Sequence, residues 1–323
     1  MISGQKFNDF FNFVDSHQAF IIVGHKEPDG DCIASCLALD ELLRLKGKKT
    51  VLLSAGPFKK TETKRYEKLF KTSFDDLRNI SSYGLIITDC SSKDRIGELN
   101  IKDIEFDTFI IDHHKTADAS GKNCIVDSSA PAAAYLVQQI FEAANGEVTK
   151  TAAEVLFFGL STDSGFFRFL EEDSAEIFLA ASRLIAKGAS PKKTYNLITG
   201  GKSFESRKLL GKHFDHAEAY FDGKLIITYE TMEDTATYGQ NGRDSDALYQ
   251  NLLAIEGVEA IVSVRQETEE QCTIGFRSRE QVDVSAVASH FGGGGHKNAS
   301  GACCQTTIKE IIPQILQEFQ KIL

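Results

Sequence analysis

The sequence predicts a two-lobed α/β protein. Its N-terminal lobe is built on a mainly parallel sheet flanked by helices, and a smaller C-terminal α/β lobe carries a mixed sheet. Short apolar runs alternate with helical periodicities over residues 1–190. Several of those runs end in Asp or His, at the carboxyl ends where open parallel sheets place their ligands. With 323 residues, the chain also exceeds the size at which a single core stops growing. The breaker K-G-A-S-P at 187–191 sets the division: a first domain over 1–188, a linker over 189–203 and a second domain over 204–323.

Phe7, Phe10, Phe11 and Val14 recur at helical spacing, which predicts an opening helix over 6–15 with these side chains in the core. The apolar run 20–23 is a buried strand, and H-K-E-P-D-G-D at 25–31 follows at its end. Pro28 and Gly30 keep that segment out of a helix and allow a tight turn, which can bring His25, Asp29 and Asp31 to bear on one point. Taken alone, the segment is either a metal site or an acidic turn closed by Asx hydrogen bonds. A helix over 32–45 carries Ile33, Leu39, Leu42 and Leu43 inward and stops at Lys46-Gly47; Cys32 and Cys36, four apart on it, read as core. A strand over 50–53 comes next, and the polar stretch 59–72 is an exposed loop and helix without chemistry.

Two further strands deliver polar groups. The run 85–88 ends in Asp89, and the run 108–111 ends in Asp112-His113-His114. A helix over 132–144 is entered through Pro131 in its first turn. Another, over 149–158, leads into G-L-S-T-D-S-G at 159–165, where Asp163 stands by a glycine that permits an abrupt turn. A third covers 175–186. One aspartate at a strand end means little, whereas this repetition makes a constellation.

The second lobe reads as a helix over 204–220, a strand over 225–229, a helix over 244–254 and strands over 260–266 and 271–276, the last ending in Arg277-Ser278. After a helix over 284–290 come Gly292, Gly293, Gly294, Gly295 and His296. Four successive glycines cost backbone entropy and add nothing to a core. Their amides can approach an anion closely, and with His296 and Arg277 alongside they suggest a phosphate or nucleotide pocket. A bare glycine run reads first as a flexible linker, but here a helical segment precedes it and His and an apolar element follow.

Composition narrows the partners. Hydrophobic residues make up 42% and charged residues 25%, as in an ordinary globular protein. No apolar run approaches membrane-spanning length and the N-terminus lacks a signal-peptide pattern, so no membrane association is expected. Seven scattered cysteines without a C-x-x-C pair suggest free thiols in a reducing, cytoplasmic setting. A net charge of -10 speaks against a protein that tracks long nucleic acid and favours a small phosphate substrate, bound through cations and a few placed Arg and Lys.

These motifs together resemble the DHH phosphoesterase superfamily: H-K-E-P-D-G-D at 25–31, T-D-C-S-S at 88–92, I-D-H-H-K at 111–115 and S-T-D-S-G-F-F at 161–167. The G-G-G-G-H-x-x-A-x-G form over 292–301 is similar to the substrate-binding lobe called DHHA1, unlike the second lobe of the pyrophosphatases that share the metal motifs. The compact two-lobe form is most similar to the NrnA-type oligoribonucleases, also described as phosphatases of adenosine 3′,5′-bisphosphate. The fourth motif departs slightly, with D-S-G where D-T-G is common, and Ser300 stands where a second alanine is usual.

The resemblance implies two divalent cations, one on His25, Asp29 and Asp89, the other on Asp31, Asp89, His113 and Asp163, with Asp89 shared. It implies that His114 faces the scissile phosphate, that Asp112 orients the neighbouring histidines, and that the active site lies in the cleft between the lobes. Carboxylate and imidazole donors suit Mn²⁺, which the resemblance favours, with Mg²⁺, Co²⁺ and Fe²⁺ as further occupants. Arg277, Ser278, Gly292 to Gly295 and His296 would hold the other phosphate of a short RNA, a dinucleotide or a bisphosphorylated nucleoside. A homodimer is compatible with all this. The alternatives are hydrolysis of linear or cyclic dinucleotide signals or of short polyphosphate, and a silent nucleotide-binding module; the presence of every expected ligand speaks against the last.

Overall fold

The computed structural model describes residues 2–75, 80, 82–101, 104–117, 119–240, 243–279 and 281–323. The chain divides into two compact units, Met1–Gly201 and Lys202–Leu323.

In the first unit, α1 (Gly4–Asp15) leads into β1 (Ala19–Val23), α2 (Gly30–Leu45) and β2 (Lys49–Leu53). The short α3 (Thr61–Lys64) precedes β3 (Tyr83–Thr88), β4 (Thr108–Asp112) and β5 (Cys124–Val126). Then come α4 (Ala133–Asn145), α5 (Lys150–Asp163), α6 (Ala175–Ala186) and α7 (Pro191–Thr199). Among the described residues these strands form one parallel sheet in the order β2-β1-β3-β4-β5. Every residue of β1 is buried, as a parallel strand covered on both faces requires. Its alternating side chains feed two cores: Phe20 and Ile22 join Phe10, Phe13 and Phe109, while Ala19, Ile21 and Val23 join Leu85 and Ile87.

Two consequences of this packing create the site. The strand order sets β1, β3 and β4 side by side, with Val23 opposite Ile87 and Thr88 opposite Ile111, so three polar strand ends become neighbours. Small residues then let α2, α4 and α5 close in beneath them. A Cβ on Gly159 would lie 2.6 Å from the Ala34 Cβ and 2.9 Å from the Ala134 Cβ, and one on Gly30 would meet the Thr162 side chain at 2.5 Å.

Some expectations shift. The helix expected to end at 158 continues as α5 to Asp163, because Gly159 serves a helix crossing and not a break. Within 189–203, α7 buries Thr194 and packs Leu197 and Ile198 on the first core, and the units part at 201/202.

The second unit runs α8 (Phe204–Asp215), β6 (Glu218–Tyr220), β7 (Leu225–Glu230), α9 (Met232–Tyr238) and α10 (Ser245–Leu253). It continues with β8 (Ala260–Thr268), β9 (Gln271–Ser278), α11 (Val284–His290), β10 (Gly294–His296), β11 (Ala299–Gln305) and α12 (Ile308–Phe319). Its mixed sheet has the order β10-β11-β9-β8-β7-β6, with β7 and β8 parallel and the other neighbours antiparallel. The expected helix over 204–220 stops at Asp215, since 218–220 pair with β7 through a turn in which Phe221 and Asp222 both have φ of 53°. Ile311, Ile315 and Phe319 of α12 cover the sheet beside Val262, Ile274 and Phe276. Among the described residues, no helix is long and apolar enough to cross a membrane.

Candidate metal centre

The centre assembles where β1, β3 and β4 end and α2 and α5 abut. Asp89 lies at its middle, 2% exposed, with a left-handed backbone (φ 60°) that carries an order of 1–3 kcal/mol of strain for a residue other than glycine. Its amide donates to the Ile111 carbonyl at 2.9 Å, locking the turn to the neighbouring strand. The carboxylate divides between two histidines: Oδ2 lies 3.4 Å from His25 Nε2 and Oδ1 3.4 Å from His113 Nε2.

Both imidazoles are oriented by the backbone. His25 Nδ1 lies 2.8 Å from the Lys26 carbonyl and His113 Nδ1 3.2 Å from that of Ala130, so each donates from Nδ1 and turns Nε2 inward. Around His113 Nε2 stand Asp163 Oδ2 at 3.2 Å and Asp31 Oδ2 at 3.7 Å. Asp31 is fully buried, and its two oxygens accept from the amides of Ala133 at 2.6 Å and Ala134 at 2.8 Å at the start of α4. Asp163 ends α5, and Ser164, whose hydroxyl donates to the Leu160 carbonyl, shapes the turn beyond.

Asp29 caps α2: its Oδ1 accepts from the Asp31 and Cys32 amides at 3.1 Å each and lies 3.8 Å from His25 Nε2. Cys32, read from the sequence as core, also approaches the centre. It is buried, and its thiol, His25 and Asp89 each offer a donor atom within 4.8 Å of one another. Two other sets share that spacing: Asp31 with His113 and Asp163, and Asp89 with His113 and His114. Helical periodicity assigns a buried cysteine to the core, and only the fold adds its approach to the centre: the sulfur lies 2.1 Å from where a Cβ on Gly24 would sit, so that glycine makes room for it. Cys90, next to Asp89, is fully buried among apolar residues.

His114 lies beside this set, its Nδ1 3.8 Å from Asp89 Oδ1, but that nitrogen is engaged elsewhere. Asp112, 1% exposed, accepts through Oδ1 from His114 Nδ1 at 2.7 Å and from the amides of His113 and His114 at 2.8 and 3.2 Å. With Nδ1 so engaged, and a third of its side chain exposed, His114 keeps Nε2 available.

Electrostatics shows what the residues lack. Within ion-pair distance, Asp29, Asp31, Asp89 and Asp163 meet histidines and neither Lys nor Arg, among the described residues. Burial, then repulsion from Asp89 and Asp163, pushes the Asp31 carboxyl well above its ordinary range; burial and repulsion from Asp29 and Asp89 likewise raise Asp163. Burial would lower His113, but the carboxylates of Asp163 and Asp89 facing it outweigh that and hold the imidazole at about 11. Asp89 Oδ1 and His113 Nε2 are buried without a hydrogen-bond partner. Four converging carboxylates answered, among the described residues, by histidines alone, in an oxygen and nitrogen set flanked by one thiol, fit divalent cations, whose binding would displace protons from the imidazoles.

In the second unit, Arg277 and His296 lie in one cross-strand row, each opposite Ala299, so their side chains leave the same sheet face with a small residue between them. The Arg277 guanidinium also covers the Tyr249 ring at 4.7 Å. His296 and Gly294 are exposed. The four glycines serve different ends. A Cβ on Gly293 would lie 2.1 Å from the Gly301 carbonyl, and one on Gly295 2.6 Å from that of Ala299, so these two are required by the β10 and β11 pairing; around Gly292 and Gly294 space is open. Ser278 points to the other face, where its hydroxyl donates to the Val282 carbonyl at 2.6 Å and is 8% exposed, apart from Arg277 and His296.

The model of the DHH family N-terminal domain matches residues 19–160, and that of the DHHA1 domain matches residues 223–323. The chain is 28% identical over 283 residues to the bifunctional oligoribonuclease and PAP phosphatase NrnA of Thermus thermophilus, covering 87% of this chain and 82% of that protein. To the NrnA of Bacillus subtilis it is 26% identical over 299 residues, with 90% of each chain covered. In structure it is similar to an exopolyphosphatase-related protein from Bacteroides fragilis, with a TM-score of 0.83, 23% identity and coverage of 99% and 98% of the two chains. On both family domains and the shared α/β architecture, the chain belongs to the DHH/DHHA1 phosphoesterases, enzymes that hydrolyse phosphate ester bonds.

Proposed function

We propose that this enzyme hydrolyses short oligoribonucleotides and dinucleotides to mononucleotides, and removes the 3′-phosphate of adenosine 3′,5′-bisphosphate, with two Mn²⁺ ions bound. The observation that carries the reading is Asp89, a buried carboxylate held left-handed with one oxygen toward His25 and the other toward His113. His25, Asp29 and Asp89 would hold one cation; Asp31, Asp89, His113 and Asp163 the other. When bound, such a pair supplies Lewis acidity toward a phosphate oxygen and a water nucleophile at neutral pH.

The chain's own groups do the rest. Asp112 fixes the His114 tautomer, so Nε2 faces the scissile phosphate. Water adds to phosphorus, the ester P–O bond breaks, and His114 steadies or protonates the departing ribose oxygen. Arg277 and His296, with the amides near Gly292 and Gly294, take the nucleotide's other phosphate. Ser278 supports that loop through Val282. A net charge of -10 suits a small substrate and not long nucleic acid, and the buried free cysteines suit the cytoplasm.

The test is turnover of purified protein on a diadenylate and on adenosine 3′,5′-bisphosphate, with Mn²⁺ or Mg²⁺, following mononucleotide and orthophosphate separately. Mn²⁺-dependent release from either substrate is expected. Failure on both, with release from a cyclic dinucleotide or short polyphosphate, would replace this reading.

A further inference from the structure

We infer that Cys32 is a thiol donor to the cation on the His25 side of the centre, and that this half of the pair therefore favours thiophilic ions such as Zn²⁺ and Co²⁺ over Mn²⁺ and Mg²⁺. The inference rests on the metal-centre reading above and deepens it. Asp31 and Cys32 are consecutive in the first turn of α2, so their side chains diverge by about 100° around the helix. Asp31 turns toward His113 and α4, whereas Cys32 turns toward Gly24 and His25. They thus address opposite sides of Asp89.

The thiol has a space made for it. Gly24 closes β1 just before His25, and the sulfur occupies the volume that any side chain there would take, 2.1 Å from where a Cβ would sit. From that notch the sulfur comes within 4.8 Å of both a His25 nitrogen and an Asp89 oxygen. Donors bound to one ion at roughly 2.0–2.3 Å are themselves separated by about 3–4.5 Å, so the three can share an ion after small side-chain adjustments. Asp89, only 2% exposed, turns Oδ2 to within 3.4 Å of His25 Nε2, so a buried carboxylate oxygen faces this donor set. Asp29 Oδ1 is engaged by two amides, which leaves Oδ2 as its donor to the same ion beside the sulfur. Cys36, one turn further along α2 and equally buried, joins no such donor set among the described residues. Binding exchanges an S–H bond for an S–metal bond and releases the proton to solvent, without a change of oxidation state.

Cobalt substitution tests this directly. Metal-free protein loaded with Co²⁺ should show a near-ultraviolet sulfur-to-cobalt charge-transfer band together with visible ligand-field bands. Cys36→Ala should keep the charge-transfer band. Cys32→Ala should lose it yet retain the ligand-field bands, and its preference for Zn²⁺ over Mn²⁺ in competition titrations should fall on the order of tenfold. Cys32→Ser, nearly the same size, should behave like Cys32→Ala in both measurements, and circular dichroism would show whether each variant is folded. A wild-type spectrum without the band, a band that survives in Cys32→Ala, or an unchanged metal preference in folded Cys32→Ser would overturn the inference. Hydrolysis of diadenylate by the Mn²⁺-loaded wild type separates the two readings: the sulfur band without hydrolysis keeps the thiol donor and sinks the proposed function, and hydrolysis without the band does the reverse.

Discussion

Each unit buries carboxylates, and their surroundings differ. In the second unit, Glu230 is 1% exposed and is answered by the protein itself. Its Oε1 accepts from Arg243 Nε at 2.8 Å and Thr235 Oγ1 at 2.7 Å, and Oε2 lies 3.3 Å from His213 Nε2. Burial alone would raise its pKa, but His213, Arg243 and Thr235 bring it down to about 2. In the first unit, burial and repulsion from neighbouring carboxylates raise Asp31 and Asp163 instead, and His113 offsets this only in part. A buried acid whose charge the fold neutralises is part of the scaffold. One whose charge the fold leaves standing is poised for a cation from outside.

Substitutions on the two sides should therefore separate. The largest effect is expected from Asp89→Ala: Mn²⁺-dependent hydrolysis falls by about 10³-fold or more. The melting temperature of the metal-free protein should not fall with it, because one of the mutually repelling carboxylates has gone; a parallel loss of stability would place Asp89 with Glu230 and collapse the contrast. Glu230→Gln should do the opposite, costing about 3 kcal/mol in denaturant unfolding while isothermal titration shows metal affinity unchanged.

A smaller change is expected at His114, whose Nδ1 is taken up by Asp112 at 2.7 Å. His114→Gln should lower kcat by about 10²-fold and leave metal affinity intact. Weakened metal binding would instead make His114 a ligand alongside Asp89 and His113.

The smallest effect concerns pH. Carboxyls and a histidine raised on folding make the folded chain bind more protons than the unfolded one, so stability drops as pH climbs; Asp31, Asp163 and His113, the last moving from 6.5 to about 11, all act in this sense. The melting temperature of metal-free protein should accordingly decline as pH rises from about 6.5 toward 11, and saturating Mn²⁺ should flatten the slope by displacing those protons. Glu230 has the reverse sign: its contribution, about 3 kcal/mol, is present above about pH 4.5 and disappears as pH falls through about 2. Differential scanning calorimetry with and without metal checks both limbs.

Much of this was legible in the residues. Apolar runs buried on both faces announced β1, β3 and β4, and Asp or His at their ends marked the centre, because in a parallel sheet such runs have one orientation and one functional edge. Periodicity found the body of α2 but not the bend after α8, where Asp222-Gly223 was the overlooked hairpin signal. It also cut α5 short, since a glycine that ends one helix is in another the contact that lets three helices meet. Tyr249, lying under Arg277, and the burial of Ser278 on the opposite face were out of reach, because cross-strand neighbours depend on register.

By itself, then, the sequence determined which residues carry charge, where strands end, and hence that His25, Asp29, Asp31, Asp89, His113 and Asp163 fall at the ends of regular elements. Local patterning is enough for that, since each element's period shows in its own residues. Only the tertiary structure decided that Asp89 divides its oxygens between two histidines, that Cys32 slots against Gly24 beside them, and that Gly293 and Gly295 serve strand pairing while Gly292 and Gly294 stay open. Those are distances between segments far apart in the chain, set by strand order and helix packing, and no local pattern encodes them.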